Sequence, residues 1–144
     1  MKSFNRDGNL AQNLELSFRE FLNEFGFNKN RNELIRQLLV LCKTLKKYNI
    51  NNIYVVGSMV TEKKAPRDID VCLDVTHFKF REFEKDYPGV FSENGLEALR
   101  LSTGVHVASL FNSYSTEDRD WYQFDRQNNF RGWVKISLFN LDTT

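Results

Sequence analysis

The chain has 144 residues, 41% of them hydrophobic and 14% aromatic, with twenty basic side chains against nineteen acidic and a formal net charge of +1. That length suits one domain, residues 1–144, around one buried core, and that apolar content excludes general disorder. The balanced charge does not indicate nonspecific nucleic-acid binding. No segment approaches the ~20 apolar residues of a membrane span, and the polar start Met1-Lys2-Ser3-Phe4-Asn5-Arg6-Asp7 lacks the apolar stretch of a secretion signal, so a cytoplasmic protein is expected.

Residues 1–13 are polar and read as a loop or N-terminal arm. Ser17-Phe18-Arg19-Glu20 has the spacing of a capping box and opens a helix with Phe18, Phe21, Leu22 and Phe25 on one face, ended near Gly26. Asn30-x-x-Glu33 is suited to cap a second helix, in which Leu34, Leu38, Leu41, Leu45 and Tyr48 recur at helical spacing. Arg36, Lys43, Lys46 and Lys47 mostly occupy its other faces, the three lysines complementing the negative end of the helix dipole.

Ile53–Val56 reads as a strand, Gly57-Ser58-Met59-Val60-Thr61 as a turn, and Glu62-Lys63-Lys64-Ala65-Pro66-Arg67 as a charged connection. A second strand over 69–75 has Ile69, Val71, Leu73 and Val75 on its apolar face. Phe78–Tyr87 predicts a helix that stops before Pro88-Gly89, Leu96–Leu101 a short helix, and Val105–Phe111 and Val134–Leu138 two more strands. Trp121, Tyr122, Trp133 and the thirteen Phe are expected mostly in the core, with base stacking as the alternative. Cys42 and Cys72, inside apolar segments and without a Cys-x-x-Cys pair, read as buried reduced thiols.

Chemistry concentrates at Gly57-Ser58 and Asp68-Ile69-Asp70. Residues two apart on a strand share a face and sit roughly 6.5–7 Å apart, so Asp68 and Asp70 are placed to converge on one divalent cation. Hard cations such as Mg²⁺ take oxygen ligands and commonly share them with substrate phosphates. A glycine at a strand end permits close backbone approach, and the following amides and the Ser58 hydroxyl are donors for phosphate oxygens. Taken alone, Gly57-Ser58 reads as a simple turn; joined to Asp68 and Asp70 it reads as a phosphate-binding turn. Lys63, Lys64 and Arg67 flank the motif, open between triphosphate contacts and solvated loop charges.

The pattern Gly-Ser, nine residues, Asp-x-Asp resembles the nucleotidyltransferase superfamily, in particular its minimal bacterial members. Phe4-Asn5-Arg6-Asp7-Gly8-Asn9-Leu10, the segment 18–31, Gly57-Ser58-Met59-Val60-Thr61, Pro66-x-Asp68-x-Asp70 and Arg131-Gly132-Trp133-Val134-Lys135-Ile136 extend the resemblance over most of the chain. It implies an α/β (α+β) nucleotidyltransferase-like fold: a small mixed, strongly twisted sheet with helices mainly on one face. It also implies that Gly57 and Ser58 hold the phosphates of an NTP while Asp68 and Asp70 bind Mg²⁺ or Mn²⁺. An NMP is then transferred to a hydroxyl and pyrophosphate leaves.

One position departs from the pattern. A third carboxylate is implied on a neighbouring strand, and the candidate strand reads Gly104-Val105-His106-Val107-Ala108-Ser109-Leu110-Phe111, with His106 where the acid is expected. An imidazole is a poorer Mg²⁺ ligand, though it is able to act as a base near neutral pH or to ligate a softer ion such as Mn²⁺. His106 stands equally open as a hydrogen-bonded core histidine. Asp74 lies roughly 20 Å along an extended strand from Asp68, and Glu93, Glu97, Asp118 and Asp120 serve only if a loop folds back over the site. Two function classes follow: a metal-dependent nucleotidyltransferase acting on a protein, RNA or small-molecule hydroxyl, or a noncatalytic module that binds a nucleotide or a cognate protein partner, such as half of a toxin–antitoxin or phage-defence pair.

Overall fold

In a computed structural model, the described residues are 2–89, 92–112, 115, 117–139 and 141, with only the backbone described for Glu93, Asn94 and Asp118. Leu14–Leu16 (β1) leads into Phe18–Phe25 (α1), whose start is fixed by Ser17. The Ser17 Oγ accepts from the Glu20 N–H at 3.1 Å while Glu20 Oε1 accepts from the Ser17 N–H at 2.9 Å, the capping box that the spacing predicts. Those contacts hold the Glu20 carboxyl below its usual range, the bond to the Ser17 backbone acting most strongly. Phe18, Phe21 and Phe25 are buried and Gly26 closes the helix.

Lys29–Lys46 (α2) is capped two residues before the expected Asn30, because Asn28 Oδ1 accepts from the Arg31 N–H at 2.9 Å. Leu34, Leu38, Leu41, Leu45 and Tyr48 are buried as their period requires. The remaining elements are Asn52–Val56 (β2), a 3₁₀ turn over Gly57–Val60, Asp70–Asp74 (β3), Phe80–Asp86 (α3), Glu93–Thr103 (α4), His106–Phe111 (β4), Glu117–Trp121 (α5) and Val134–Ser137 (β5). The architecture is α+β. Its five-stranded mixed sheet has the order β1-β5-β2-β3-β4, with β2 antiparallel to β3 and β5, and with β1–β5 and β3–β4 parallel.

Alternation in the strands feeds two apolar layers. Ile53, Val55, Val71, Leu73, Val107, Val134 and Ile136 join the main core, together with the buried sides of α1 and α2, Phe83 of α3 and Leu99 of α4. Tyr54, Val56, Cys72 and Phe111 form a smaller cluster against Ala108, Tyr122 and Trp133. The face of β3 opposite Val71 and Leu73, expected to be polar, is therefore largely covered at its centre. A strand buried on both faces reads as a near-continuous apolar run, which is how Ile53-Tyr54-Val55-Val56 and Val71-Cys72-Leu73 read. Both cysteines are buried free thiols. No helix among the described residues is long and apolar enough to cross a membrane.

Two further differences from the sequence expectation concern the start of the chain. Residues 2–13 are no loose arm: Leu10 and Asn9 are buried, Phe4 pairs with Leu10, and the Leu10 N–H donates to Val60 O at 3.0 Å. β1 is short and adjoins the polar stretch, so its periodicity is too brief to stand out.

The most connected side chain is charged. Arg31 is fully buried, and its guanidinium donates to the carbonyls of Phe25 (3.1 Å), Met59 (2.9 Å), Thr61 (2.6 Å) and Lys63 (2.7 Å from Nη2, 3.0 Å from Nε). It also lies 4.2 Å from the centroid of the Phe27 ring. Burial pulls its pKa down to about 10, which still leaves it cationic at neutral pH. Replacing it strands several backbone acceptors at once, whereas losing the Ser17 hydroxyl leaves a single backbone donor, the Glu20 N–H, without its cap. Arg31→Ala is expected to cost at least about 3 kcal/mol, and Ser17→Ala about 1 kcal/mol. Urea denaturation of both variants checks the order; equal costs would show that the Arg31 cluster is not a stabilising centre.

Candidate functional site

The turn after β2 is glycine by necessity. Gly57 has φ +77°, and a Cβ built there would sit 2.7 Å from Asp70 Oδ2. Val56 pairs with Asp70, and Asp70 with His106, so sheet register brings the turn, the carboxylate and the imidazole together. His106 Nδ1 lies 2.8 Å from Asp70 Oδ1. A carboxylate only accepts, so Nδ1 carries the proton, and in the neutral ring Nε2 is left as an acceptor. The His106 backbone N–H adds a bond to Ile69 O at 3.1 Å, extending the ladder one residue before Asp70.

Asp68 does not share that strand. It is exposed in the irregular segment before β3, so the alternation argument for two convergent carboxylates does not apply to it. Among the described residues no three His, Cys, Asp or Glu side chains are grouped to hold a metal ion. Ser58 is half-buried, and its carbonyl accepts from Thr61 Oγ1 at 2.6 Å. Lys63 and Arg67 are exposed, and the Lys63 backbone is held at the start of α2 by Arg31. The substitute acids are engaged elsewhere: Asp74 Oδ1 accepts from the Thr76 N–H and hydroxyl, Glu97 pairs with Arg100, and Asp120 pairs with Arg119. The side chains of Glu93 and Asp118 lie outside what is described.

Beside Gly57 and Asp70 opens a cavity of about 480 Å³, lined also by Val56, Trp121, Tyr122, Phe124, Asp125, Arg126, Asn128 and Arg131. Ser58, Lys63, Arg67, Asp68 and His106 are not part of its lining. Its outer wall is built by the segment 119–131. Arg119 pins α5 to the sheet, its guanidinium 5.1–5.6 Å from the ring centroids of Tyr54, Phe111 and Trp133. This places Trp121 at the surface, 72% exposed, contrary to the core position expected for it, while Tyr122 and Trp133 pack on the second cluster.

Asp125 organises the rest of the wall. Its Oδ1 accepts from the Gln127 and Asn129 N–H groups, each at 2.9 Å, and its Oδ2 from Asn9 Nδ2 at 2.9 Å. The Asn9 bond is the main cause holding the Asp125 carboxyl below its ordinary range. Arg131 is half-buried, and burial lowers its pKa against the opposing attraction of Asp125 and Asp70. Its Nε has no hydrogen-bond partner among the described residues. Arg126 and Arg131 were not singled out for the site from the sequence. The signal present was the interleaving of arginines and aromatics, Arg119, Trp121, Tyr122, Phe124, Arg126, Phe130, Arg131 and Trp133.

The fold and site define an α+β protein with a polar, aromatic-walled cavity at the sheet's second face. Over residues 2–137 the chain matches a family described as "Family of unknown function (DUF6932)", and it belongs to that family. No curated protein and no solved structure matches it.

Gly57→Ala tests how far the site rests on this turn. The left-handed φ costs a residue with a Cβ about 1–2 kcal/mol, and the added methyl displaces the Asp70 carboxylate. Reduced stability in thermal melts, with a changed His106 ring signal in NMR spectra, is the expected outcome. An unchanged His106 signal would mean that Asp70 does not depend on Gly57.

Proposed function

We propose that the protein is a metal-dependent nucleotidyltransferase of the nucleotidyltransferase-like fold, moving an NMP from an NTP to a hydroxyl acceptor. The observation that carries the reading is the register Val56–Asp70–His106, which brings a positive-φ glycine turn, a carboxylate and an imidazole together, with Gly57 and Asp70 lining one end of a cavity. In the reaction, the acceptor oxygen bonds to the α-phosphorus, the bond from that phosphorus to the β-phosphate bridging oxygen breaks, and pyrophosphate departs. Gly57 allows the phosphates close to the backbone, the Ser58 hydroxyl is a donor to their oxygens, and His106 Nε2, oriented through Nδ1 by Asp70, takes the acceptor's proton.

The donor chemistry fits a hard cation completed by phosphate oxygens: Asp70 keeps Oδ2 turned to Gly57 while Oδ1 meets His106, and Asp68 presents an exposed carboxylate nearby in sequence. Asp70 and Asp68 would hold Mg²⁺ or Mn²⁺, which supplies charge neutralisation for the triphosphate. Lys63 and Arg67 would contribute at longer range as part of the positive field around the turn.

A second reading is favoured by the same imidazole. His106 occupies one oxygen of Asp70, and Asp68 lies off the strand, which suits a site that binds a nucleotide or a cognate protein partner without turnover, as in one half of a toxin–antitoxin or phage-defence pair. Incubation with α-labelled ATP, GTP, CTP and UTP, with Mg²⁺, Mn²⁺ or EDTA, separates the two. Transferase action predicts label transfer that EDTA abolishes and Asp70→Asn lowers by about 10²-fold or more. Nucleotide binding without transfer to any protein, RNA or small-molecule acceptor in a cell extract would leave the second reading standing.

A further inference from the structure

Among the described residues, three buried side-chain polar atoms have no hydrogen-bond partner: Ser109 Oγ, Arg131 Nε and Trp133 Nε1. All three belong to the Asp70 side of the sheet. Ser109 is in register with Cys72 of the second cluster, Trp133 packs on that cluster, and Arg131 shares the cavity lining with Asp70. Buried polar groups are nearly always satisfied, and an unpaired guanidinium N–H is costly to bury. That N–H is sealed from solvent, so it marks a guanidinium held in a desolvated place, and the best partner for the part of such a cation that lines the cavity is an anion.

Asp125 and Asp70 attract Arg131 from the same lining but neither is hydrogen-bonded to it among the described residues, Asp125 accepting instead from Asn9, Gln127 and Asn129 and Asp70 meeting His106. The same cavity presents a second, exposed guanidinium on Arg126. It also presents large aromatic surfaces left to solvent: Trp121 is 72% and Phe124 49% exposed, with Trp121 standing edge-on to Tyr122 at 4.9 Å between centroids. Aromatic faces bordering a desolvated cation, in a cavity of small-molecule size, suit a ligand that joins a flat ring to an anionic group.

We infer that segment 119–131 is the ligand-selecting wall of the site: Arg131 and Arg126 hold the phosphate of a nucleoside phosphate and Trp121 and Phe124 take its base, without a metal ion. This rests on the nucleotide-binding part of the proposed function and moves the main anion contact away from Lys63 and Arg67, which the cavity excludes. The base is read by stacking, so discrimination among bases is weak, and both halves of the ligand are needed.

The test is calorimetric titration in EDTA of the full chain with AMP, adenosine, inorganic phosphate and a short single-stranded oligoadenylate. AMP is expected to bind at least about tenfold more tightly than adenosine or phosphate, and more tightly per site than the oligonucleotide. Trp121→Ala and Arg126→Gln, both at exposed positions, and Arg131→Gln are each expected to weaken AMP about tenfold. Their effect should exceed that of Lys63→Gln or Arg67→Gln. Absence of metal-free AMP binding, equal affinity for phosphate alone, preference for the oligonucleotide, or insensitivity to Trp121→Ala and Arg126→Gln would each overturn the inference. The transferase reading fails separately: metal-free AMP binding that survives alongside no metal-dependent label transfer removes turnover and leaves this wall in place, whereas label transfer unaffected by Trp121→Ala and Arg126→Gln removes the wall and leaves turnover.

Discussion

Arg31 has its charge answered by carbonyl oxygens, with Phe25 closing α1, Met59 inside the 3₁₀ turn, and Thr61 and Lys63 on the way to β3 all turned toward one planar cation. Only a guanidinium has enough donors in a fixed fork to serve acceptors from three segments; an ammonium with three donors would leave some of them unpaired. The cost of burying that charge is offset because the carbonyls would otherwise be orphaned where a helix ends and a loop begins. Asn28 extends the same clamp, since its Oδ1 caps α2 while its Nδ2 donates to Lys64 O at 2.7 Å. The glycine turn is therefore held from behind by helices, independently of anything that binds in front of it.

That independence explains why part of the molecule is legible in the sequence and part is not. Local rules act within a few residues, so the Ser17–Glu20 box, the Leu34-to-Tyr48 stripe and the Gly57 turn announce themselves. Apart from β1, the strand segments are equally plain because β-branched and aromatic residues cluster in them. Asp68 misled because alternation presumes a strand that has already begun, whereas β3 begins only at Asp70. His106 pairs in register with Asp70, on the neighbouring strand where the resemblance to the nucleotidyltransferases implied a third acid; apolar patterning alone did not place it there.

The second face of the sheet escaped because its cover is assembled from contacts between distant parts of the chain. Tyr54 and Cys72 meet Phe111, Tyr122 and Trp133, and Arg119 reaches back over the rings. No periodicity encodes such a layer. Trp121 and Tyr122 are neighbours in sequence, yet one is mostly solvent-exposed and the other packs on Tyr54's side of the sheet. Composition treats both as core candidates; only the anchoring of α5 by Arg119 separates them.

The N-terminal turn joins the two halves of the site. Gly8 O accepts from the Glu62 N–H at 2.9 Å and Leu10 N–H donates to Val60 O, which ties residues 8–10 to the segment that Arg31 clamps. From the same turn, Asn9 Nδ2 reaches Asp125 Oδ2, Asn5 Nδ2 donates to Phe130 O at 3.1 Å, and Leu10 O accepts from the Gly132 N–H at 2.9 Å. The glycine turn and the arginine-bearing wall are thus fixed to one short polar stretch rather than to each other. A cavity whose opposite walls share a support is preorganised, because ordering them is completed in folding and is not charged against the ligand. It also accounts for a buried Asn9 and a half-buried Asn5 so near the start of the chain: both supply donors that no apolar side chain in those positions offers, and the wall carrying Arg126 and Arg131 closes on them.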